Sequence, residues 1–195
     1  MEAAPAINRF GIRSLVFSML ITAVFSCTGC VSMLRIDGPY KGRVIDAETG
    51  QPIEGAVAHG TWSKVYPNPA GSSSEYYDSY EVLTDKDGNF EIPGKGLLIL
   101  SNIDDMTLTI FKAGYDQWHP NNWGGLRNWK SDGSLTWDEY GKGTFKLKRL
   151  TMEERRNRSI TLPRGPHKTQ KLLLRESNKE NMGIGRPLST LAPEE

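Results

Sequence analysis

TDKDGNFEI (residues 84–92) joins the residues of a tight turn to the alternating pattern of a strand. The run Asp85–Asn89 consists of turn formers, because short carbonyl side chains bond their own backbone and Gly and Asn tolerate a positive φ. After it, Phe90 and Ile92 alternate with polar residues, which is the period-2 pattern of a half-buried strand. The stretch therefore predicts a β-hairpin, in which a strand ending at Thr84 pairs with the strand that follows the turn.

Segments on both sides of this stretch carry further strand patterns, separated by turns rich in Gly and Pro. Residues 66–79 (YPNPAGSSSEYYDS) are expected to form a loop, since two prolines, a glycine and a serine run offer little to bury. The short apolar run Leu97–Leu100 predicts a fully covered strand. Seven short strands with turns between them favour an antiparallel β-sandwich. The predicted strands are residues 41–46, 55–65, 80–84, 89–93, 97–100, 106–111 and 144–148.

The overall composition fits a turn-rich β protein without a strongly charged partner. The 24 basic residues nearly balance the 23 acidic ones, so neither nucleic acid nor a polybasic membrane contact is indicated. The chain has 20 Gly and 11 Pro among 195 residues, a high proportion for a helical protein. Its only cysteines are Cys27 and Cys30, so the remainder of the chain has no disulfide or thiolate metal site to offer.

The first 29 residues have the form of a secretory signal. Arg9 and Arg13 precede an apolar run, residues 14–25 (SLVFSMLITAVF), and small residues follow it at once. A membrane-spanning helix needs roughly twenty apolar residues, so this run is too short to cross a bilayer. We therefore expect residues 1–29 to be a signal peptide that is removed.

The end of this segment resembles a bacterial lipoprotein signal, in which an aliphatic and two small residues precede the cysteine that receives lipid. Thr28-Gly29-Cys30 fits the last three positions, although Cys27 stands where an aliphatic residue is usual. Val24–Cys27 is the competing site, but it places the bulky Phe25 next to the cleavage step. The resemblance implies acylation of Cys30, or alternatively Cys27, with palmitate-type chains that together anchor stably in a membrane. It also implies an outer-membrane envelope lipoprotein facing the periplasm, since no Asp follows Cys30.

Two segments are expected to flank the sandwich: a tether over residues 30–40 and a C-terminal extension over residues 151–195. Thr151 and Glu154 form a capping box, which predicts a short helix to about Arg158. A second helix is expected over residues 168–179. The extension is interpreted as solvated and partly disordered, with a partner-docking helix as the alternative.

Three motifs resemble the carboxypeptidase regulatory-like domain: GRVIDAETGQPIEGA (residues 42–56), TDKDGNFEI (residues 84–92) and IFKAGY (residues 110–115). The resemblance implies the transthyretin-like (prealbumin-like) fold of that family, an all-β, seven-stranded antiparallel Greek-key sandwich, here over residues 41–150. Such domains are usually accessory modules, so the resemblance implies no catalytic site and no cofactor.

An insertion over residues 116–143 departs from that family, which has a short connection at this place. Its tryptophans stand among Asn, Gly and Asp, and exposed indoles stack on sugars, peptides and interfacial lipid. The alternative is a structural cap at one end of the sandwich, in which the indoles pack on each other. The candidate ligand-binding residues are Trp118, Trp123, Trp129, Trp137 and Tyr140.

The sequence carries no motif for catalysis or metal binding. His59, His119 and His167 are scattered without zinc-site spacing, and no Ser lies in a Gly-x-Ser-x-Gly elbow. A calcium loop starting at Asp85 would need Gly and Glu where Phe90 and Gly96 stand. We therefore predict a non-catalytic, lipid-anchored envelope protein without metal or cofactor, with a structural or protein-interaction role. The alternatives are a glycan- or peptide-binding module that uses the Trp-rich loop and an accessory subunit that docks through its tail.

Overall fold

The computed structural model describes residues 32–119, 135–137 and 143–189. Within them, two β-sheets face each other across a hydrophobic core, and a separate two-stranded ribbon and a C-terminal helix complete the arrangement. The strands are β1 (Ser32–Asp37), β2 (Tyr40–Asp46), β3 (Val57–Asn68), β4 (Gly71–Leu83), β5 (Asn89–Ile92), β6 (Gly96–Ser101), β7 (Thr107–Phe111), β8 (Leu135–Trp137) and β9 (Gly143–Leu147). The helices are α1 (Met152–Asn157) and α2 (Lys171–Ile184), the second preceded by a 3₁₀ turn, His167–Thr169.

Seven of the nine described strands form two facing sheets, and the predicted all-β, sandwich-like class is confirmed. The first sheet has the order β5-β2-β9-β8 and the second has the order β4-β3-β7, while β1 and β6 pair with each other as the ribbon. All pairs are antiparallel except β2 with β9, which run parallel from Gly42 opposite Gly143 to Asp46 opposite Leu147. The first sheet is therefore mixed, where a wholly antiparallel one was predicted.

The core lies between the two sheets because alternate residues of each strand point inward. Phe90 and Phe145 of the first sheet contact each other in a tilted arrangement at 5.6 Å between ring centroids, and Trp62 of the second sheet is completely buried. Their other buried neighbours are Val44, Ile53, Ala56, Ala58, Ile92, Met106, Leu108, Ile110, Trp118 and Leu147. The predicted strands at residues 41–46, 106–111 and 144–148 are thus confirmed to within one residue at each end.

The turn at residues 85–89 forms, but it does not close a hairpin. The Asp85 amide donates to the Asn89 carbonyl at 2.9 Å, and the Asp85 carboxylate accepts from the amides of Asp87 and Asn89. Gly88 has φ +77°, and a Cβ there would lie 2.4 Å from the Val44 carbonyl. The strands on either side of the turn belong to different sheets, so the hairpin prediction is wrong: β5 pairs with β2, and β4 pairs with β3.

Residues 66–79, predicted to be a loop, instead extend a long hairpin of β3 and β4. The register runs from Val57 opposite Leu83 to Asn68 opposite Gly71, with an irregularity between Trp62 and Ser63. Most of its outer half is exposed on both faces, so backbone hydrogen bonds rather than burial hold the strands together. The prolines do not prevent this pairing near the end of the hairpin.

The ribbon overturns two further predictions. Residues 32–37 of the predicted tether form β1, which pairs with β6 from Ser32 opposite Ser101 to Asp37 opposite Gly96. Leu98 of β6 is buried, but Leu97, Ile99 and Leu100 are exposed, so β6 is not the fully covered strand that was predicted.

The C-terminal extension is folded over its described length and packs on the sandwich. The predicted capping box is confirmed: the Thr151 hydroxyl accepts from the Glu154 amide, and the Glu154 carboxylate accepts from the Thr151 amide. Helix α2 buries Leu173 against Val57 and Phe111, on the face of the second sheet that points away from the core. Over residues 151–189 the interpretation as a solvated extension is therefore wrong.

Candidate functional site

Four of the six most exposed large hydrophobic side chains of the described chain lie on one face of the ribbon. Leu34 is opposite Ile99, and Ile36 is opposite Leu97. Cross-strand partners in an antiparallel pair lie on the same face, so these four side chains form one patch, which we call the ribbon face. They are 66%, 63%, 70% and 60% exposed, respectively. Clustered exposed aliphatic side chains mark a contact surface rather than a part of the core.

The other face of the ribbon is attached to the body of the protein. The Arg35 guanidinium donates to the carbonyls of Ile103 and Asp104 at 2.8 and 2.9 Å and pairs with the Asp105 carboxylate. Leu98, opposite Arg35 in the register, is buried. The ribbon therefore has one bound side and one apolar exposed side.

Asp37 connects the end of β1 to the core. Its buried carboxylate accepts from the Trp62 indole N–H at 2.9 Å, the Lys95 amide at 2.8 Å and the Tyr40 hydroxyl at 2.7 Å. Burial, followed by this hydrogen bond to Asp37, raises the pKa of Tyr40 above its ordinary value. Tyr40 thus stays protonated and donates to the carboxylate.

The predicted lipidation residues, Cys30 and Cys27, lie outside the described residues, so lipidation at either remains a prediction. Cys30 stands two positions before Ser32, where β1 begins, and four before Leu34 of the ribbon face. Within the described ranges no helix is both long and apolar enough to cross a bilayer.

Trp118 belongs to the core rather than to an exposed aromatic surface. Its side chain is 5% exposed, and its ring meets Phe145 edge-on at 4.8 Å between centroids. Its backbone exchanges two hydrogen bonds with Ile110, at 2.8 and 2.9 Å, which extends the pairing of the second sheet. The prediction of Trp118 as a displayed ligand-binding residue is therefore wrong, because the indole fills the space between the sheets.

The other aromatic candidates stay untested. Trp123, Trp129 and Tyr140 lie outside the described residues. The backbone of Trp137 pairs with Gly143 at the end of β8. Their role as candidate ligand-binding residues stays a prediction, now without Trp118.

The burial of Trp62 and Trp118 has a direct spectroscopic consequence. In a variant with Trp123, Trp129 and Trp137 replaced by Phe, these two are the remaining tryptophans of the five in the chain. Because they are 0% and 5% exposed, we expect blue-shifted emission that acrylamide quenches only weakly. The same variant in concentrated urea provides the reference for full quenching. Equal quenching in buffer and in urea would contradict the burial of both indoles.

Two buried glutamates attach α2 to the turn after β7. Glu176 accepts from the Ala113 amide at 3.1 Å, and Glu180 accepts from the Gly114 amide at 2.7 Å. Gly114 has φ +88°, a conformation that favours glycine. Acidic side chains that the sequence suggests are solvated thus bind backbone N–H groups of the sandwich.

Two arginines, one in α1 and one directly after it, also donate hydrogen bonds to the Glu180 carboxylate. The Arg155 guanidinium donates to it at 2.7 and 3.0 Å, and Arg158 donates at 2.9 Å. Burial raises the pKa of Glu180, but the hydrogen bonds from Arg155, Arg158 and the Gly114 amide outweigh it and lower the pKa to about 2. Glu180 is therefore ionised at neutral pH and links both tail helices to the sheet.

The N-terminus of α2 is capped from the second sheet. The Glu81 carboxylate of β4 accepts from the amides of Leu172 and Leu173 at 2.9 and 3.0 Å, while the Gln170 side chain makes no capping bond. A carboxylate at this end satisfies orphan N–H groups and complements the helix dipole. His59, completely buried, lies 3.3 Å from the same carboxylate through Nδ1. Glu81 therefore has a structural role in holding the tail.

The described residues do not form a metal-binding cluster. No group of three or more His, Cys, Asp or Glu side chains among them is arranged to hold a metal ion. A shallow cavity of about 380 Å³ lies beside α1 and includes Asp116, Glu153, Glu154 and Arg158. Of these, Glu154 is occupied by the capping box and by Lys148 at 2.7 Å. This lining residue thus stabilises the start of α1.

Comparison of the chain with protein-family models, with curated proteins and with solved structures finds no match. The resemblance to the carboxypeptidase regulatory-like domain accordingly depends on the three sequence motifs and remains a prediction.

Proposed function

We propose that this chain is a lipid-anchored, non-catalytic envelope protein whose β-sandwich is a structural or protein-interaction module. The observation that carries the proposal is Thr28-Gly29-Cys30 after a short apolar run, with Cys30 two positions before β1 begins at Ser32. In a Gram-negative host its place is the periplasmic side of the outer membrane. The sandwich is of the carboxypeptidase regulatory-like type, with seven core strands in Greek-key order.

The positions of the three motifs support the family assignment. Residues 42–56 run from β2 to the start of β3, and residues 84–92 cross from the second sheet to the first. Residues 110–115 end β7 and include the turn that Glu180 binds. Glycines and apolar residues of the motifs thus occupy turns and core positions, as they do in a domain whose motifs are structural.

The use of four buried or half-buried carboxylates supports a non-catalytic role. Asp37, Glu81, Glu176 and Glu180 all bind backbone amides, and each thereby joins two parts of the fold. A general acid or base must instead reach a substrate in a pocket. These groups are occupied within the structure that they stabilise.

The two alternatives receive less support from the described residues. Trp118 is buried, which removes one of the aromatic residues proposed to bind a glycan or peptide. Helix α2 buries Leu173, Leu174 and Ile184, so most of its apolar side chains are already covered. A protein that docks on the C-terminal extension would have to bind the apolar side chains of α2 that remain exposed, such as Met182.

The lipid anchor is tested by metabolic labelling with a radioactive or clickable fatty acid. We expect Cys30→Ala to abolish labelling and to leave an uncleaved precursor, since the acceptor thiol is gone. Cys27→Ala is the matched control and should be labelled and cleaved like the parent chain. Labelling that persists in Cys30→Ala and disappears in Cys27→Ala would move the anchor to Cys27. If neither the parent chain nor the Cys27→Ala control took up the fatty acid, the proposal would be refuted.

A further inference from the structure

We propose that the ribbon face lies in the lipid–water interface of the membrane that holds the acyl chains of Cys30. The sandwich then rests on the bilayer through β1 and β6. This inference depends on the lipid anchor proposed above and adds to it a second contact with the membrane. The partner is the glycerol and upper acyl region of a phospholipid bilayer.

The shape of the patch fits a flat apolar partner. Its four side chains come from two strands, lie on one face and are each 60–70% exposed. Directly opposed side chains in an antiparallel pair lie about 5 Å apart, so the patch is continuous. Contiguous apolar surface of this kind marks a membrane or protein contact.

The short distance from the ribbon face to Cys30 favours the membrane as the partner of this face. Leu34 follows Cys30 by four residues, and a fully extended chain of that length spans at most about 14 Å. The headgroup region on each side of a bilayer is about 5–8 Å thick. Acylation of Cys30 therefore holds the start of β1 at or close to the headgroups, with the ribbon face as the nearest described apolar surface in sequence.

The ribbon is positioned before it meets the membrane. Arg35 is bound on the opposite side by Asp105 and by the carbonyls of Ile103 and Asp104. Asp37 fixes the end of β1 to Trp62. Because few groups need to be ordered on contact, little conformational entropy is lost when the patch meets lipid.

The backbone limits how deeply the ribbon enters. Within the described chain β1 and β6 pair only with each other, so each strand has an outer edge. Unpaired N–H and C=O groups are not tolerated in the hydrocarbon core. Insertion is therefore shallow, in the range of about 5–10 Å known for amphipathic interfacial segments.

The charge pattern predicts little dependence on lipid charge. The ribbon face consists of Leu34, Ile36, Leu97 and Ile99, and the nearby Arg35 points to the other side, where Asp105 neutralises it. Electrostatic attraction to anionic lipid requires exposed Lys or Arg near the surface. Contact should be similar on neutral and anionic vesicles.

The test uses the acylated mature protein with one spin-labelled cysteine, reconstituted in phosphatidylcholine vesicles with or without phosphatidylglycerol. Cleavage before Cys30 removes Cys27, and acylation blocks the Cys30 thiol, so an introduced cysteine is the only free one. Ile36→Cys and Ile99→Cys report on the ribbon face. Met182→Cys is the matched control, because Met182 is 60% exposed on α2, on the outer face of the second sheet.

We expect labels at residues 36 and 99 to be about tenfold less accessible to an aqueous nickel chelate than the label at residue 182, on both vesicle types. Equal accessibility at all three positions, with the acyl mass present on Cys30, would overturn the inference and leave the anchor intact. Dipolar coupling between labels at residue 99 of two molecules would identify a second copy as the occupant and would also overturn it. Absence of the acyl mass would refute the proposed function and with it the anchor on which this placement depends.

Discussion

Replacement of Glu180 by alanine is expected to release α2 from the sandwich and to lower the free energy of unfolding by about 3–5 kcal/mol. The carboxylate is 1% exposed and holds Arg155, Arg158 and the Gly114 amide. Removing it leaves two partly buried guanidinium groups and a backbone N–H without their acceptor. Urea unfolding and amide hydrogen exchange at Ala113 and Gly114 measure the loss.

Glu153→Ala is the matched control for this variant, because it removes an exposed carboxylate from α1 without touching the links to α2. It should change stability little, as exposed charges usually do. If the Glu180→Ala protein had the same stability and exchange protection as the control, Glu180 would not be the residue that holds α2 on the sandwich.

The same site predicts an acid-induced loosening of the tail. The pKa of Glu180 is lowered from 4.5 to about 2 in the folded protein. A group whose pKa falls on folding contributes stability above its unfolded pKa, and the contribution disappears as the pH falls through the folded value. Exchange protection at Gly114 should therefore decrease from about pH 4.5 toward pH 2, and Glu180→Gln should show a flatter dependence over that range.

Replacement of Asp37 by alanine is expected to lower the free energy of unfolding by about 3 kcal/mol or more, since buried donors left without an acceptor cost about 1–3 kcal/mol each. The variant leaves the Trp62 indole N–H, the Tyr40 hydroxyl and the Lys95 amide without this acceptor. It should also loosen the ribbon, because Asp37 ends β1. Urea unfolding followed by tryptophan fluorescence measures the first effect, and hydrogen exchange in β6 measures the second.

Glu91→Ala provides the comparison for Asp37→Ala. It removes an exposed carboxylate that pairs with Lys41 at 3.2 Å, an interaction worth at most about 1 kcal/mol at the surface. If Asp37→Ala and Glu91→Ala were equally stable, Asp37 would not be the connection between ribbon and core.

Local chemistry in the sequence predicted the turns and the inward-facing residues. The carboxylate of Asp85 binds two amides of its own turn, and Thr151 and Glu154 cap each other, so these features depend on a few neighbouring residues. The alternation of Phe90 and Ile92 likewise shows which side chains enter the core. Such patterns do not contain the identity of the pairing strand.

Strand pairing is non-local, which explains the hairpin error. The turn at residues 85–89 is compatible with a hairpin and also with a crossing between sheets. The choice between them depends on the other strands, because β5 pairs with the edge of β2, while β3 pairs with β4 along the whole length of β4. A turn sequence carries no information about that competition.

Polar strands and internally used charges account for most of the other errors. Residues 66–79 pair mainly through the backbone, so no burial pattern marks them as strands. Glu176 and Glu180 lie in the extension that was interpreted as solvated, yet their carboxylates accept hydrogen bonds from the Ala113 and Gly114 amides. The ribbon left a weak signal, the alternation of Leu34, Arg35 and Ile36, which the expectation of a tether obscured.

The lipid anchor is tested most directly by mass spectrometry of the N-terminal peptide of the chain extracted from its membrane. We expect this peptide to begin at Cys30, with a diacylglyceryl group on sulfur and an acyl group on the amine. A peptide that begins at Cys30 without lipid, or one that retains residues 14–25 ahead of an unmodified Cys30, would contradict the anchored envelope protein proposed here.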